Sequence, residues 1–274
     1  MPAPQPALFL SHGAPTLLIE DSPAHDFLAN LGQSLERPRA IVVCSAHYEA
    51  PAPRASSAAR PATIHDFRGF PEELHRFQYP VPGAPGLARD IARRLQQAGF
   101  AAETEPARGL DHGIWNPLAL IWPEPDIPVV ALSITPFETP DYHYRMGKAL
   151  AGLRQDGVLL IGSGSMTHNL RRFFGGNFRR DSPEDPGARA FADWIAGRVA
   201  AGDRETLLAG VDAWPEGRQN HPTDDHILPL FFAMGAGSPA SGGTRLHAST
   251  NYAILAMDML GFDMGQPAAA PATA

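Results

Sequence analysis

Four short apolar runs, rich in valine, isoleucine and leucine, constrain the fold more than any other feature of this chain. They are Ala7 to Leu10, Ala40 to Ser45, Ile127 to Ile134 and Val158 to Ile161. Their apolar character is continuous rather than alternating, which is typical of strands covered on both faces. Segments with helical spacing separate them. The sequence therefore predicts an α/β fold with a central, mostly parallel sheet flanked by helices.

The segments between and after these runs indicate where the helices lie. The predicted helices cover Leu87 to Leu95, Tyr142 to Leu153, Pro186 to Ala200 and Asp225 to Met234. The polar, proline-rich segment from Ala50 to Pro85 is too long for a plain connection, so we expect it to pass over one edge of a site. A chain of 274 residues with this pattern favours one domain. We place that domain at residues 1–264 and expect a disordered Ala/Pro tail at 265–274.

Composition and charge argue against several classes of protein. The formal net charge is −7, and the arginines at 171, 172, 179 and 180 form short, broken stretches, so no nucleic-acid surface is expected. The single cysteine, Cys44, lies inside an apolar run and is expected in the core. No intrachain disulfide can form, which fits a reducing compartment. No run approaches the roughly 18 apolar residues of a membrane span. We therefore expect a cytoplasmic protein that does not bind membranes.

Histidines follow three of the four predicted strands. His12 comes after the first, His47 after the second, and His168 after the glycine-rich end of the fourth. In open α/β sheets ligands bind outside the carboxyl ends of the strands, so these imidazoles can converge. Imidazole suits iron, zinc, copper and nickel, and three histidines with a vacant position are typical of a catalytic metal site. The sequence therefore predicts a metal site at the carboxyl ends of the strands.

Other histidines are candidates because of their neighbours. His112 lies in an Asp-His-Gly sequence, and His226 opens a predicted helix. For Asp224 and Asp225, we favour a role as caps of that helix over metal coordination. His65, in the long polar segment, either lines a substrate pocket or makes a loop hydrogen bond. The remaining five histidines have no such context and are predicted to be surface or structural residues.

The glycine-rich run after the fourth strand is a poor match for a serine-nucleophile motif and for a phosphate-binding loop. Residues 162–166 read Gly-Ser-Gly-Ser-Met, whereas a nucleophile elbow needs glycine where Met166 stands. Neither a Walker pattern nor a G-x-G-x-x-G pattern is present. We expect these glycines to let the backbone pass close to a metal pocket and to aim His168.

Seven short motifs, taken together and in order, resemble one family. The chain is similar to the class III extradiol ring-cleavage dioxygenases and, within them, to the 4,5-DOPA dioxygenase-like branch. The resemblance extends over Ala7 to Phe262 and implies that the predicted domain is catalytic. The motifs are Leu10 to Pro15, Ser45 to Tyr48, Thr63 to Phe67, Tyr79 to Gly83, Leu110 to Trp115, Gly164 to Leu170 and His226 to Leu230.

The resemblance also implies roles for the histidines. His12 and His47 are expected to bind one divalent metal, with His226 as the third protein ligand. His168 corresponds to the acid/base histidine of the family and lies close enough in this branch to be a fourth ligand. His112 corresponds to a second catalytic histidine in the pocket. An all-histidine set suits Zn(II) as well as Fe(II), so the metal is expected to be Fe(II) for activity or Zn(II) as bound.

The weaker expectation concerns substrate recognition. Tyr48, His65, Phe67 and Trp115 flank the motifs and are predicted to contact the substrate, although aromatic residues in such places are more often packing residues. The implied partners are a small-molecule catechol and dioxygen, and the oligomeric state is open.

The implied reaction inserts O2 into the ring of a DOPA-like catechol by 4,5-cleavage and gives a ring-opened semialdehyde. His168 would take a proton from the catechol and return it later. Zn(II) has no accessible one-electron couple, so this chemistry needs iron. Two alternatives use the same residues: a zinc-dependent hydrolase, and a non-enzymatic binding protein that would tolerate replacement of His168 or His112.

Overall fold

The predicted strands form the middle of an eight-stranded sheet in the computed structural model, which describes residues 3–238 and 242–264. Over these residues the strands are β1 (Ala7–Ser11), β2 (Ala40–Glu49), β3 (Arg54–Ser56), β4 (Glu103–Glu105), β5 (Val129–Ile134), β6 (Val158–Gly164), β7 (Thr244–His247), β8 (Thr250–Asn251), β9 (Leu255–Ala256) and β10 (Met259–Phe262). The sheet order is β4-β3-β5-β2-β6-β1-β10-β7. The central strands β5, β2, β6 and β1 are parallel, whereas β10 and β7 pair antiparallel at one edge. The predicted α/β class with a mostly parallel sheet is confirmed.

Helices cover both faces of this sheet. They are α1 (Pro23–Ser34), α2 (Glu72–Arg76), α3 (Pro85–Gln97), α4 (His112–Ile121), α5 (Pro140–Leu150), α6 (Leu170–Gly175), α7 (Pro186–Ala200), α8 (Arg204–Leu208), α9 (Gly217–Asn220) and α10 (Leu228–Ala236). Short 3₁₀ turns lie at Pro15–Leu18, Ala151–Asp156 and Val211–Ala213. The helix predicted from residue 186 has the bounds expected for it, whereas the one predicted from residue 225 begins only at Leu228.

The continuous apolar strands are explained by two hydrophobic cores, one on each face of the sheet. Successive side chains of a strand point to opposite faces. Phe9, Val42 and Leu160 therefore enter the core that contains residues of α3, α5, α7 and α10. Their neighbours Leu8 and Ile41 enter the other core, with residues of α1 and α4. Cys44 is fully buried in the first core, as predicted.

The second strand is longer than its apolar run. β2 continues to Glu49, and its pairing with β5 shifts register between Ser45 and Glu49. Such an irregularity bends a strand and changes the direction of a side chain near a site. His47 therefore lies within β2, in the stretch where the pairing with β5 shifts register, rather than in the loop beyond it.

Helices α5 and α10 cross at a pair of glycines, which leads to a prediction on stability. A Cβ atom on Gly147 would lie 2.0 Å from the carbonyl oxygen of Phe232, and one on Gly235 would lie 1.9 Å from that of Tyr144. Gly147→Ala must therefore push two backbones apart. We expect it to lower the free energy of unfolding by about 1–3 kcal/mol despite the better helix propensity of alanine, as measured by denaturant unfolding.

A matched control is available on another helix. Gly197 lies in α7, and a Cβ atom there would meet nothing within 4 Å. Gly197→Ala is expected to raise the free energy of unfolding by about 0.5–1 kcal/mol, since it lowers backbone entropy in the unfolded chain without a clash. Equal effects of the two substitutions would contradict the close crossing of α5 and α10.

The long segment predicted to pass over one edge of the site does so. It contains β3 and α2, and isolated bridges pair Thr63 with Leu110 and Gly83 with Val129. These bridges fix the part of the segment that carries Asp66 beside the start of α4. The tail expected at 265–274 lies outside the described residues. Over residues 3–238 and 242–264, no helix has the length and apolar character that crossing a membrane requires.

Candidate active site

Three histidine side chains converge at the carboxyl ends of β1 and β2. His12 directly follows β1, His47 lies near the end of β2, and His226 lies two residues before α10. Nε2 of His47 is 3.0 Å from Nε2 of His12 and 3.3 Å from Nε2 of His226. The candidate ligand atoms of the three lie within 4.8 Å of one another. The structure thus brings together the three histidines expected to hold a metal, although they come from distant parts of the chain.

Two of these imidazoles, those of His12 and His226, use their other ring nitrogen for a hydrogen bond away from the cluster. Nδ1 of His12 lies 3.0 Å from the hydroxyl of Ser163, which in turn donates to the carbonyl of Gly113. Nδ1 of His226 contacts the carboxylate of Asp225. Acceptors at Nδ1 keep the proton there and leave the Nε2 lone pair free, which is how histidine ligands are usually oriented.

The lowered pKa values of His12 and His47 suit the binding of a metal cation. Burial, together with the neighbouring imidazoles, holds the pKa of His12 and of His47 well below the usual range. The imidazoles are therefore neutral at pH 7, with lone pairs facing one another at hydrogen-bond distance. Two nitrogen lone pairs that face each other at this distance repel unless a proton or a cation lies between them. The donor set therefore fits a divalent metal ion of the kind that binds imidazole.

Glycines at the end of β6 allow the third histidine to approach. A Cβ atom on Gly164 would lie 2.1 Å from the carbonyl oxygen of His226, and one on Gly162 would lie 2.0 Å from that of Pro229. The backbone N–H of Ser165 donates to the carbonyl of His226 at 2.9 Å. These glycines do let the backbone pass close to the pocket, but the contacts they allow are with His226 and with the first turn of α10.

The capping role predicted for Asp224 and Asp225 was wrong. The Asp224 carboxylate pairs with Arg218, and the Asp225 carboxylate accepts from His226. No side chain caps α10, because the backbone N–H groups of Ile227 and Leu228 already donate to the carbonyl of Asp224, each at 3.0 Å. Burial favours the neutral form of Asp225, yet the hydrogen bond from His226 and the electrostatic effect of that imidazole outweigh burial and hold the pKa of Asp225 below the usual range.

Asp66 bridges two histidines and was missed in the sequence. Its Oδ1 lies 2.8 Å from Nδ1 of His112 and accepts from the His112 backbone N–H at 3.1 Å. Its Oδ2 lies 3.3 Å from Nδ1 of His47. Burial raises the pKa of Asp66, but the hydrogen bonds from His112 and the nearby imidazoles outweigh it and hold the pKa well below the usual range. The sequence feature that could have indicated Asp66 is its position directly after His65.

His168 lies beside the cluster rather than within it. Its ring stacks on that of His226, with centroids 3.4 Å apart and an interplanar angle of 12°. Its candidate ligand atoms group with those of Asp225 and His226, not with those of His12 and His47. Burial, with the electrostatic effect of His226 adding to it, lowers the pKa of His168, so this imidazole is neutral at pH 7.

A cavity of about 460 Å³ opens above the histidines, a size typical of small-molecule sites. All five histidines of the site and Asp66 line it. Apolar and aromatic side chains form most of the remaining wall, namely Phe67, Phe70, Leu170, Phe173, Phe174, Tyr252, Leu255 and Met257. The cavity therefore combines a polar floor with walls suited to an aromatic ring.

Of the four residues expected to contact substrate, the structure places only Phe67 on this cavity. Tyr48 follows His47 on β2 and therefore lies on the other face of the strand. Nε2 of His65 lies 2.9 Å from the carbonyl oxygen of Phe77, which is the loop hydrogen bond weighed as the alternative. Trp115 is fully buried, and its indole N–H donates to the carbonyl of Ile64 at 2.9 Å. These three residues have structural contacts instead.

Relatives with named activities match nearly the whole chain. A protein of Beta vulgaris described as "4,5-DOPA dioxygenase extradiol" is 39% identical over 251 residues, which cover 90% of this chain and 92% of the relative. A protein of Escherichia coli with the same description is 37% identical over 234 residues, which cover 84% of each chain.

A solved structure and a family model agree with these relatives. The crystal structure of an uncharacterized Escherichia coli protein superimposes with a TM-score of 0.77 at 30% identity, covering 94% of this chain and 99% of the other. The family described as "Catalytic LigB subunit of aromatic ring-opening dioxygenase" matches residues 6–258. The expected resemblance and the expected enzyme class, an extradiol dioxygenase, are thereby confirmed. The chain belongs to the LigB family of aromatic ring-opening dioxygenases.

Proposed function

We propose that this enzyme is a metal-dependent dioxygenase that opens the ring of a DOPA-like catechol by 4,5-cleavage and gives a ring-opened semialdehyde. The observation that carries the proposal is the convergence of three imidazole Nε2 atoms on the floor of a cavity with aromatic walls. The relatives described as 4,5-DOPA dioxygenases support the choice of substrate.

The metal would be held by His12, His47 and His226, whose Nε2 atoms face one another. Three imidazole nitrogen ligands suit either Fe(II) or Zn(II), and the reaction selects Fe(II) because, of these two ions, only iron has an accessible one-electron couple. When bound, the ion supplies Lewis-acid activation of the catechol hydroxyls and the redox step toward O2.

Two further histidines would handle protons. His112 holds a proton at Nδ1, because this atom lies 2.8 Å from the Asp66 carboxylate, and its Nε2 is therefore an acceptor. His168 is neutral and lines the same cavity, so its imidazole can accept a proton from a catechol hydroxyl and return it to the product. The apolar walls orient the ring over these groups and exclude water.

The test is oxygen uptake by the anaerobically purified, Fe(II)-reconstituted protein with L-DOPA and a panel of simple catechols. We expect uptake to accompany formation of a yellow ring-opened product, and the Zn(II)-loaded protein to show neither. An iron-loaded protein that consumes no oxygen with any catechol would contradict the proposal. Turnover of esters or amides by the zinc form in that case would favour the hydrolase alternative.

A further inference from the structure

The loop that carries Asp66 into the site also places a positive charge on the cavity wall. Arg68 is exposed and lines the same cavity as Asp66. Two residues of extended chain span at most about 7 Å, so the backbone of Arg68 starts within that distance of the backbone of Asp66, whose carboxylate contacts His47 and His112. Apart from histidines, Asp66 and Arg68 are the charged residues among those that line the cavity.

Asp66 and Arg68 differ in whether their charged groups already have partners within the protein. Both carboxylate oxygens of Asp66 face histidine nitrogens, so Asp66 has little capacity left for a ligand. Arg68 has no ion-pair or hydrogen-bond partner in the described part of the chain. In a mostly apolar pocket, a few polar groups fix the orientation of the ligand. The free guanidinium of Arg68 is therefore the group with unused capacity for an anion.

Among the described residues that line the cavity, Arg68 is the only positively charged side chain other than the histidines. The side chains contributed by α6 and by residues 255 and 257 are apolar. Tyr252 also lines the cavity, but its hydroxyl already donates to the carboxylate of Glu20 at 3.1 and 3.2 Å. Glu20 brings a negative charge to that part of the rim. An anionic group therefore has its favourable partner at Arg68.

The cavity also has room for a side chain on the ring. Its volume of about 460 Å³ exceeds what a bare catechol needs and falls within the range for larger ligands. With the two hydroxyls at the histidine floor, a substituent on the ring extends toward the wall. A guanidinium binds a carboxylate through two parallel hydrogen bonds, which add orientation as well as affinity.

We infer that Arg68 is a specificity-determining residue that binds the carboxylate on the substrate's side chain, so that the enzyme prefers catechols that carry a side-chain carboxylate to those that lack one. The inference deepens the proposed function and rests on it for the catechol ring, while the preference for negative charge rests on Arg68 and its surroundings.

The test measures binding without oxygen, so that recognition is separated from ring cleavage. The full-length, Fe(II)-loaded protein is titrated anaerobically by calorimetry with 3,4-dihydroxyphenylpropionate, 4-ethylcatechol and dopamine, which are anionic, neutral and cationic. We expect the wild type to bind the anionic catechol about 10- to 100-fold more tightly than the neutral one. Arg68→Gln should remove this preference, Arg68→Lys should keep part of it, and Arg68→Glu should favour dopamine.

The control is Arg60→Gln, since Arg60 is also exposed on the same segment but does not line the cavity. It should leave the preference unchanged. The inference is overturned if the wild type does not distinguish the three ligands, if none binds, or if Arg68→Gln weakens all three equally. Admitting oxygen afterwards tests the proposed function separately: an intact charge preference without oxygen uptake would reject ring cleavage and retain the carboxylate site.

Discussion

Replacing His47 by alanine is expected to remove metal binding and oxygen uptake together. His47 is the central member of the cluster, because its Nε2 contacts the Nε2 atoms of both His12 and His226. Loss of a partner behind a metal ligand typically lowers metal affinity about 10- to 100-fold, and loss of a ligand itself should cost at least the upper end of that range. Metal content after dialysis and oxygen uptake with L-DOPA measure the two effects.

A control variant separates this effect from the general loss of a histidine. Nδ1 of His25 lies 2.9 Å from the carbonyl of Leu17, and His25 does not line the cavity. His25→Ala is expected to retain one equivalent of metal and wild-type oxygen uptake. If His47→Ala also retained a full equivalent of metal with unchanged affinity, the metal would have to lie elsewhere than among the three Nε2 atoms.

The strands and two of the three clustered histidines were predictable because the patterns that indicate them lie within short stretches of the sequence. A continuous apolar run indicates a strand with two covered faces, and the residue just past a parallel strand lies at the edge where ligands bind. His12 satisfies this rule directly, and His47 lies inside the irregular end of β2, close to the same edge. His226 follows no such strand, and it reaches the cluster because Gly164 and Gly162 allow its loop and the first turn of α10 to approach β6. That approach joins residues about sixty positions apart, so the neighbours of His226 made it a candidate, and the family resemblance implied its role as the third ligand.

The residues that were misplaced or missed depend on contacts that no local pattern shows. The face on which Tyr48 lies depends on the register shift at the end of β2. Asp66 reaches His47 and His112 because bridges near residues 63 and 83 fix the long polar segment against the sheet and the start of α4. The cavity wall likewise combines segments near residues 67, 173 and 255, which are adjacent only after folding.

Asp66→Asn is expected to lower kcat by about 10- to 100-fold even when metal is saturating. The carboxylate faces Nδ1 of both His47 and His112, so one group orients a metal ligand and a proton-handling residue. An amide can accept on one side only, and its N–H₂ group on the other side would face a histidine N–H. The proton of one of the two imidazoles then moves to Nε2, the atom that the site uses. Factors of this size are typical for groups that orient metal ligands.

The matched control for Asp66→Asn is Ser163→Ala, which removes the partner of Nδ1 of His12 and touches neither His47 nor His112. It should weaken metal binding, and excess Fe(II) should then restore kcat. Asp66→Asn should stay slow at the same metal concentration, because Nε2 of His112 is no longer held as a proton acceptor. Measuring kcat for both variants across a titration with Fe(II) separates the two roles. Full recovery of Asp66→Asn by iron would mean that Asp66 acts through His47 alone and that the orientation of His112 does not limit the reaction.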